Sequence, residues 1–396
     1  MSESLRSAAG FDLLSRHGPP RWSQADGAWL VTRHADLQLL LRCSNDVSPD
    51  AYTKIARVAK GTGMDLASLV TLASGVLVFR SPPYHTQGRA FLQRVLAILR
   101  ADLSEAAMRP MIRAAIRRTI GPGEVDAVAA LCDLLPVEII LTALGLSPGA
   151  AAAVAAHTAE MLRTCQFGQF GIMARDMAAI EVHAREVLEL IHLDILDADR
   201  SGDGRLARVL DLNRAEFGLS EADLTALIFF LAAAGIETTT ALLASGLFMV
   251  CSVPGLYDRL AADRSLIVPF VEEVTRVATP MHTTSVRKVP PGTVIGGVEF
   301  SGTELLSPLL EMGNHDPAVY DDPGSFRLDR RGPPHLAYGL GGRSCLGAGL
   351  ARLETRIFID SLLDTVRPRL INPVPQWPPA PSWRRLARLD LHMQPL

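Results

Sequence analysis

Cysteine is scarce in this chain of 396 residues. There are five, Cys43, Cys132, Cys165, Cys251 and Cys345: an odd number, scattered, with no C-x-x-C pair. That excludes a disulfide framework and a structural zinc site of clustered thiolates, and points to a reducing, cytoplasmic setting. Aromatic residues make up only 6%, and no stretch interleaves them with basic ones. With a formal net charge of −3, the chain lacks the electrostatic footprint of a nucleic-acid binder. Charged residues are 20% against 48% hydrophobic, enough to bury a large core.

A secretory or membrane signature is also missing. Met1 to Leu14 mixes Ser, Glu, Arg and Ala with no apolar run, so neither a signal peptide nor an anchor is expected. The one long apolar segment, 224–256, carries Glu237 at its centre. A carboxylate at mid-span is costly in lipid, so this segment reads as a buried helix. There is no internal repeat and no linker, and the chain reads as a single domain over 1–396. It has no glycine-rich dinucleotide fingerprint and no cysteine cluster, so any electrons it uses must come from a separate protein.

What the chain does have is one cysteine in a distinctive setting. Residues 335–354 place Cys345 in a glycine-rich turn, with an Ala/Leu helix pattern just beyond it. Gly339, Gly341 and Gly342 permit tight turning with positive φ. Gly347 and Gly349 leave room for a bulky group against the backbone. The free N–H groups of the following helix point back at the sulfur and bias it toward thiolate, the metal-binding form. A single thiolate suits an axial haem ligand better than zinc, which wants about four ligands.

The periodicity predicts a strand over 28–32 and helices over 34–41, 103–120, 125–144, 149–163, 172–199 and 220–252, with a hairpin around 297–302. The last of these helices opens on Ser220 as a capping residue. At its centre, Gly235 removes a side chain where a ligand must approach. Thr238 offers a hydroxyl beside the Glu237 carboxylate, and threonine hydroxyls can bond back to i−4 carbonyls. His85 and Arg89, four apart after Pro82-Pro83, share one helix face, as do Glu273 and Arg276.

Together these segments resemble the cytochrome P450 family. The loop matches F-x-x-G-x-x-x-C-x-G with Tyr338 at the aromatic position, Gly341 and Gly347 at the glycines and Cys345 at the cysteine. Ala234 to Thr239 is similar to [AG]-G-x-[DE]-T-[TS], Pro82 to Arg89 to P-P-x-H-T-x-x-R, and Glu273 to Arg276 to E-x-x-R. The resemblance runs through nearly the whole chain, in order. It implies a mostly α fold with a small β-rich lobe, drawn mainly from about residues 20–80 and 280–330. It implies a soluble bacterial-type haem-thiolate monooxygenase that inserts one oxygen atom from O2 into an apolar small molecule by hydroxylation or epoxidation, in secondary or degradative metabolism.

By the same resemblance Cys345 is the axial ligand of haem b. His85, Arg89, Arg287, His335 and Arg343 hold the propionates, Thr238 and Glu237 deliver protons, and Glu273 and Arg276 form a buried structural pair. Tyr338 for Phe is a departure that adds a hydroxyl near the sulfur and bears on redox behaviour. Val78, Phe167, Phe170, Phe229, Phe230, Ala233 and Met281 are expected to line the substrate pocket, with 166–171 as an apolar lid. Electrons are expected from NAD(P)H through a reductase and a small acidic ferredoxin, docking on cations that include Arg94, Arg100, Arg352 and Arg356. No nucleic-acid or membrane partner is implied. The alternatives are a peroxygenase or an O2-independent isomerase on the same fold, and, more remotely, a haem-binding sensor.

Overall fold

The computed structural model describes residues 17–24, 26–43, 46–47, 50–165, 176–377 and 384–396. Helices dominate, and the fold is built around the helix Glu221–Ser252. Its 32 residues span ~48 Å at 1.5 Å per residue. Ser220 caps it as expected, its hydroxyl oxygen accepting from the Asp223 N–H at 3.2 Å. The helix is apolar on nearly every side because other helices cover it. It is the one helix among the described residues long and apolar enough to cross a membrane, and 67% of its most apolar window is buried inside the protein. Against it pack the helices Ala67–Gly75, Leu134–Leu144, Pro148–Cys165, Met177–Ser201 and Ala348–Thr365.

Close packing explains two glycines. A Cβ on Gly75 would lie 2.3 Å from the Ala226 carbonyl oxygen on the long helix. One on Gly88, in the helix Tyr84–Ile98, would meet Leu77 at 2.8 Å and Leu227 at 3.2 Å. Gly88 thus sits against the methyl groups of two leucines, which would have to give way to any side chain there.

The β structure is small. A five-stranded sheet runs in the order Arg21–Ser23, Ala28–Val31, Leu306–Pro308, Arg287–Lys288, Asp46–Val47. It covers a separate core in which Val31, Leu37, Leu40, Ile295, Phe300 and Leu336 pack together. The expected hairpin forms between Thr293–Ile295 and Val298–Phe300, turning at Gly296 and Gly297, both at positive φ.

Two expectations are corrected. Residues 51–75 do not join the β-rich lobe but form the helices Ala51–Thr62 and Ala67–Gly75, whose apolar side chains pack against the helical core. The helix expected over 125–144 begins instead with a strand, Glu124–Asp126, which pairs with Asp390–Pro395 and through it with Val366–Leu370. Helix resumes only at Leu134 after a π turn, Val128–Cys132.

Candidate active site

The cysteine loop is held by its own backbone. Gly339 and Gly341 take φ of +63° and +69°, while Gly342 does not need a positive φ. A Cβ at Gly341 would sit 2.8 Å from the Leu41 carbonyl oxygen, so only glycine fits there. The Cys345 N–H closes the loop by donating to the Tyr338 carbonyl at 2.8 Å. The helix Ala348–Thr365 follows at once, with Gly347 as its N-cap.

Cys345 is exposed only into a cavity walled by protein. Burial raises its thiol pKa, while the N–H groups of Gly347 and Ala348, with Arg89 and Arg352, act in the opposite direction. The expected pull toward thiolate is present and is outweighed.

The cavity contains about 1840 Å³ free of protein atoms, its mouth included. Its walls bring together most of the residues singled out in the sequence. Cys345, Tyr338 and Gly347 come from the loop, Gly235 and Thr238 from the long helix, and His85 and Arg89 from one face of a third element. Arg287 and Arg343 complete the polar part. Val78, Phe230 and Met281 lie among the apolar lining, with Leu77, Leu96 and Ile139 beside them.

The basic groups crowd one another. Arg287 is 2% exposed, and its pKa is lowered to about 10 by burial and by Arg343. Burial, then Arg343, Arg89 and Arg287, lower His85 to about 4. Arg89 donates to the Ser344 carbonyl at 2.7 Å and to its hydroxyl at 3.2 Å, tying the His85 helix to the cysteine loop. Arg343 donates to the Leu77 carbonyl at 3.3 Å and to the Arg80 carbonyl.

Other expected site residues lie elsewhere. Phe229, Ala233 and Glu237 are four apart, so they share a face of the long helix turned away from the cavity-lining row of Leu231, Gly235, Thr238 and Leu242. Phe229 and Ala233 are fully buried in core packing. Glu237 receives two hydrogen bonds from Arg385, which also reaches Asp133 at 2.7 Å. Thr238 bonds back to the Ala234 carbonyl at 3.1 Å, as its position suggested, and the helix runs on without a break.

His335 does not line the cavity. Its side chain is buried against Glu272, Nε2 to carboxylate 3.3 Å, and its ring tilts on Tyr338. Burial works against the Glu272 carboxylate, yet His335 and Arg352 lower its pKa to about 2. His335 is thus turned toward Glu272 and not into the cavity, where it was expected among the propionate ligands. Phe167, Phe170 and the lid expected over 166–171 lie outside the described residues.

The Tyr338 hydroxyl is buried, makes no well-formed hydrogen bond among the described residues, and has its pKa raised to about 12 by burial. The Arg352 guanidinium lies 4.3 Å from the centre of the ring. Glu273 and Arg276 form the expected buried pair, with contacts of 2.9 and 2.8 Å. Arg330 joins it at 2.7 Å, and the Arg327 N–H donates to the same carboxylate.

Comparison with known proteins places this site in a family. A family model described as Cytochrome P450 matches residues 173–391. Cytochrome P450 144 of Mycobacterium tuberculosis (strain ATCC 25618 / H37Rv) is 30% identical over 325 residues, covering 81% of this chain and 73% of that protein. The chain belongs to the cytochrome P450 family. Cytochrome P450 107B1 of Saccharopolyspora erythraea is 27% identical over 352 residues, 85% of this chain and 81% of that one. P450BioI, solved in complex with hexadec-9Z-enoic acid ligated acyl carrier protein, shares the fold with a TM-score of 0.83 at 21% identity, covering 99% of this chain and 100% of that one. Epothilone B-bound P450epoK does so with a TM-score of 0.80 at 19% identity, covering 100% and 99%.

As a cytochrome P450 this chain is a haem-thiolate monooxygenase, an oxidoreductase that takes electrons from a redox partner. The cavity suits haem on its own chemistry. One thiol projects into it, and Gly235 has nothing within 4 Å of where a Cβ would stand. A buried guanidinium with a lowered pKa, crowded by other cations, is stabilised by an arriving carboxylate. The helix cations expected at a docking face are mostly neutralised: Arg94 by Glu216, Arg352 by Glu272 and Arg356 by Glu105.

Two features of the site were missed by sequence reasoning. Glu354 lines the cavity fully buried, with one carboxylate oxygen lacking any hydrogen bond among the described residues. It stands nine positions beyond Cys345 in an Ala/Leu helix, where a charged residue on an apolar face was the available signal. Arg385 left no such signal, since its partners lie 148 and 252 positions away.

Proposed function

We propose that this cytochrome P450 inserts one oxygen atom from O2 into a mainly apolar small molecule by hydroxylation or epoxidation, in secondary or degradative metabolism. The observation that carries the reading is the convergence of Cys345, Thr238 and a crowded set of basic side chains on one otherwise apolar cavity. Bound there, haem b would supply the iron that activates O2, with the Cys345 thiolate holding that iron. His85, Arg89, Arg287 and Arg343 would hold the propionates by charge-assisted bonds. Val78, Phe230 and Met281, with the leucines beside them, would exclude water and orient an apolar substrate.

Thr238 presents a hydroxyl at the cavity wall. Its bond to the Ala234 carbonyl fixes where the hydroxyl oxygen sits, so it can hold and pass a proton at that point. Glu237 reaches the same place only after loosening from Arg385, so its part in proton supply depends on that pair. Four described cysteines carry free thiols, which supports a cytoplasmic location. Electrons would come from NAD(P)H through a reductase and a ferredoxin.

The test is spectroscopic and catalytic. Cys345→Ser should lose the red-shifted Soret band of the reduced CO complex, and replacement of any other cysteine should leave it. Thr238→Ala should still bind haem and substrate but divert electrons into hydrogen peroxide. Retention of the band in Cys345→Ser, or turnover that runs on peroxide and not on O2 with a reductant and redox partner, would overturn the reading.

A further inference from the structure

Away from the cavity, two helices face one another with the same short pattern. The helix Pro148–Cys165 carries His157 and Glu160, and the helix Met177–Ser201 carries His183 and Glu186. Each His-x-x-Glu puts its two side chains on one helix face, three positions apart. Where the helices meet, the imidazoles of His157 and His183 lie parallel, 4.0 Å between centres and 16° between planes. Each ring is then matched to the other helix's acid. His183 Nδ1 is 3.1 Å from the Glu160 carboxylate, and His157 Nε2 is 3.9 Å from that of Glu186. One donor atom each from His157, Glu160 and His183 lies within 4.8 Å of the other two.

From this arrangement we infer that the two helices form a binding site for one divalent transition-metal ion of the zinc class, with His157, Glu160 and His183 as ligands and Glu186 or water completing the set. The donors are imidazole nitrogen and carboxylate oxygen without thiolate. That set suits zinc and its neighbours and is poor for calcium or magnesium, which want oxygen alone. The two carboxylates balance the charge of the ion. Zinc–nitrogen and zinc–oxygen bonds of about 2.0–2.2 Å need the donors to close in, which rotation of these partly exposed side chains allows. Paired i, i+3 His and Glu residues on facing helices are an arrangement that bundles use to hold metals. The ion would pin the helices on either side of residues 166–176. Leu162, two positions beyond Glu160, lines the cavity, so occupancy reaches the cavity wall.

The experiment uses tag-free, haem-loaded protein, with zinc as the probe. Isothermal titration should give one zinc per chain, and zinc should raise the thermal midpoint, by mass action on the folded state. His157→Ala and His183→Ala should each weaken binding by more than the roughly 10–100-fold lost when a mere outer partner of a ligand is removed. Both variants should abolish the midpoint shift. Glu160→Gln, which keeps size and shape, should weaken zinc binding while leaving the reduced CO spectrum unchanged, separating ligand loss from misfolding. No zinc bound at stoichiometric level would overturn the site, and so would zinc binding of undiminished strength in both histidine variants.

Discussion

Arg385 holds Glu237 through two hydrogen bonds, 3.1 and 2.9 Å, reaching across from 148 positions further along the chain. The acid beside Thr238 is thereby engaged on the far side of its helix. Asp133 takes the remaining reach of the same guanidinium. Burial raises the pKa of Asp133, and Arg385 partly offsets this.

Arg385→Ala should therefore leave two carboxylates without their shared cation, costing about 1–3 kcal/mol. The sign with pH follows from Asp133. A carboxyl with a raised folded-state pKa binds more protons folded than unfolded, so its contribution falls as pH rises. The variant's deficit against wild type should be larger at neutral pH and shrink as the pH falls toward the carboxylate range. Urea unfolding at several pH values measures it, and a deficit independent of pH would show that the pair carries no charge coupling.

Glu354 gives a second pH signature. Burial raises its pKa from 4.5 to about 8, with no cation set against it. The stability it allows is whole below the unfolded value and is lost as pH rises from there through about 8. Glu354→Gln should remove that loss and be more stable than wild type at pH ~8 by on the order of a few kcal/mol. The two stability curves should converge near pH ~4. Parallel curves would mean that Glu354 finds a partner in the holoprotein.

The Glu273 network should be intolerant of cutting. Arg276 and Arg330 converge on this buried carboxylate, and removing it strands two cations in the interior. Glu273→Ala should cost roughly 3–5 kcal/mol and yield little haem-loaded protein, read as the ratio of Soret to protein absorbance. A fully loaded, stable variant would contradict this placement.

Two glycines should behave oppositely. Gly75→Ala pushes a methyl to 2.3 Å from the Ala226 carbonyl, so the helix must move and stability should fall by about 1–3 kcal/mol. Gly235→Ala meets nothing within 4 Å. It should fold well, gaining up to about 1 kcal/mol of helix propensity, and bind bulky ligands more weakly because the methyl enters the cavity. Thermal midpoints and ligand-induced Soret shifts separate the two, and equal stability changes would refute the contrast.

What the sequence made legible were motifs whose chemistry is local. The cysteine loop, the His85 and Arg89 face, the Thr238 bond and the Glu273 pair each need only a few neighbouring residues, so spacing carries them. Facing was harder. A helix apolar all round does not announce which stripe meets the cavity, so Phe229 and Ala233 were expected in its lining and are packed in the core. Tertiary partners were harder still. Arg385 for Glu237 and Glu272 for His335 come from distant segments, and no periodicity links them. The strand Glu124–Asp126 is too short to stand out from the helix pattern beside it, and forms because Asp390–Pro395 arrives to pair with it.

The guanidinium groups that meet Glu273 also act on the chain beyond it. Residues 315–340 contain neither helix nor strand. Four of their carbonyls are nevertheless taken up: Arg276 donates to those of Pro323 and Ser325, and to Asn314 just before the segment, while Arg330 donates to Asp321, Asp322 and Ser325. The stretch 321–325, bound in this way, opens only by uncovering the buried ions. Its amide protons should therefore exchange with solvent on the slow schedule of the helix Ile267–Val277, as part of one cooperative unit, and not at the pace of a surface loop.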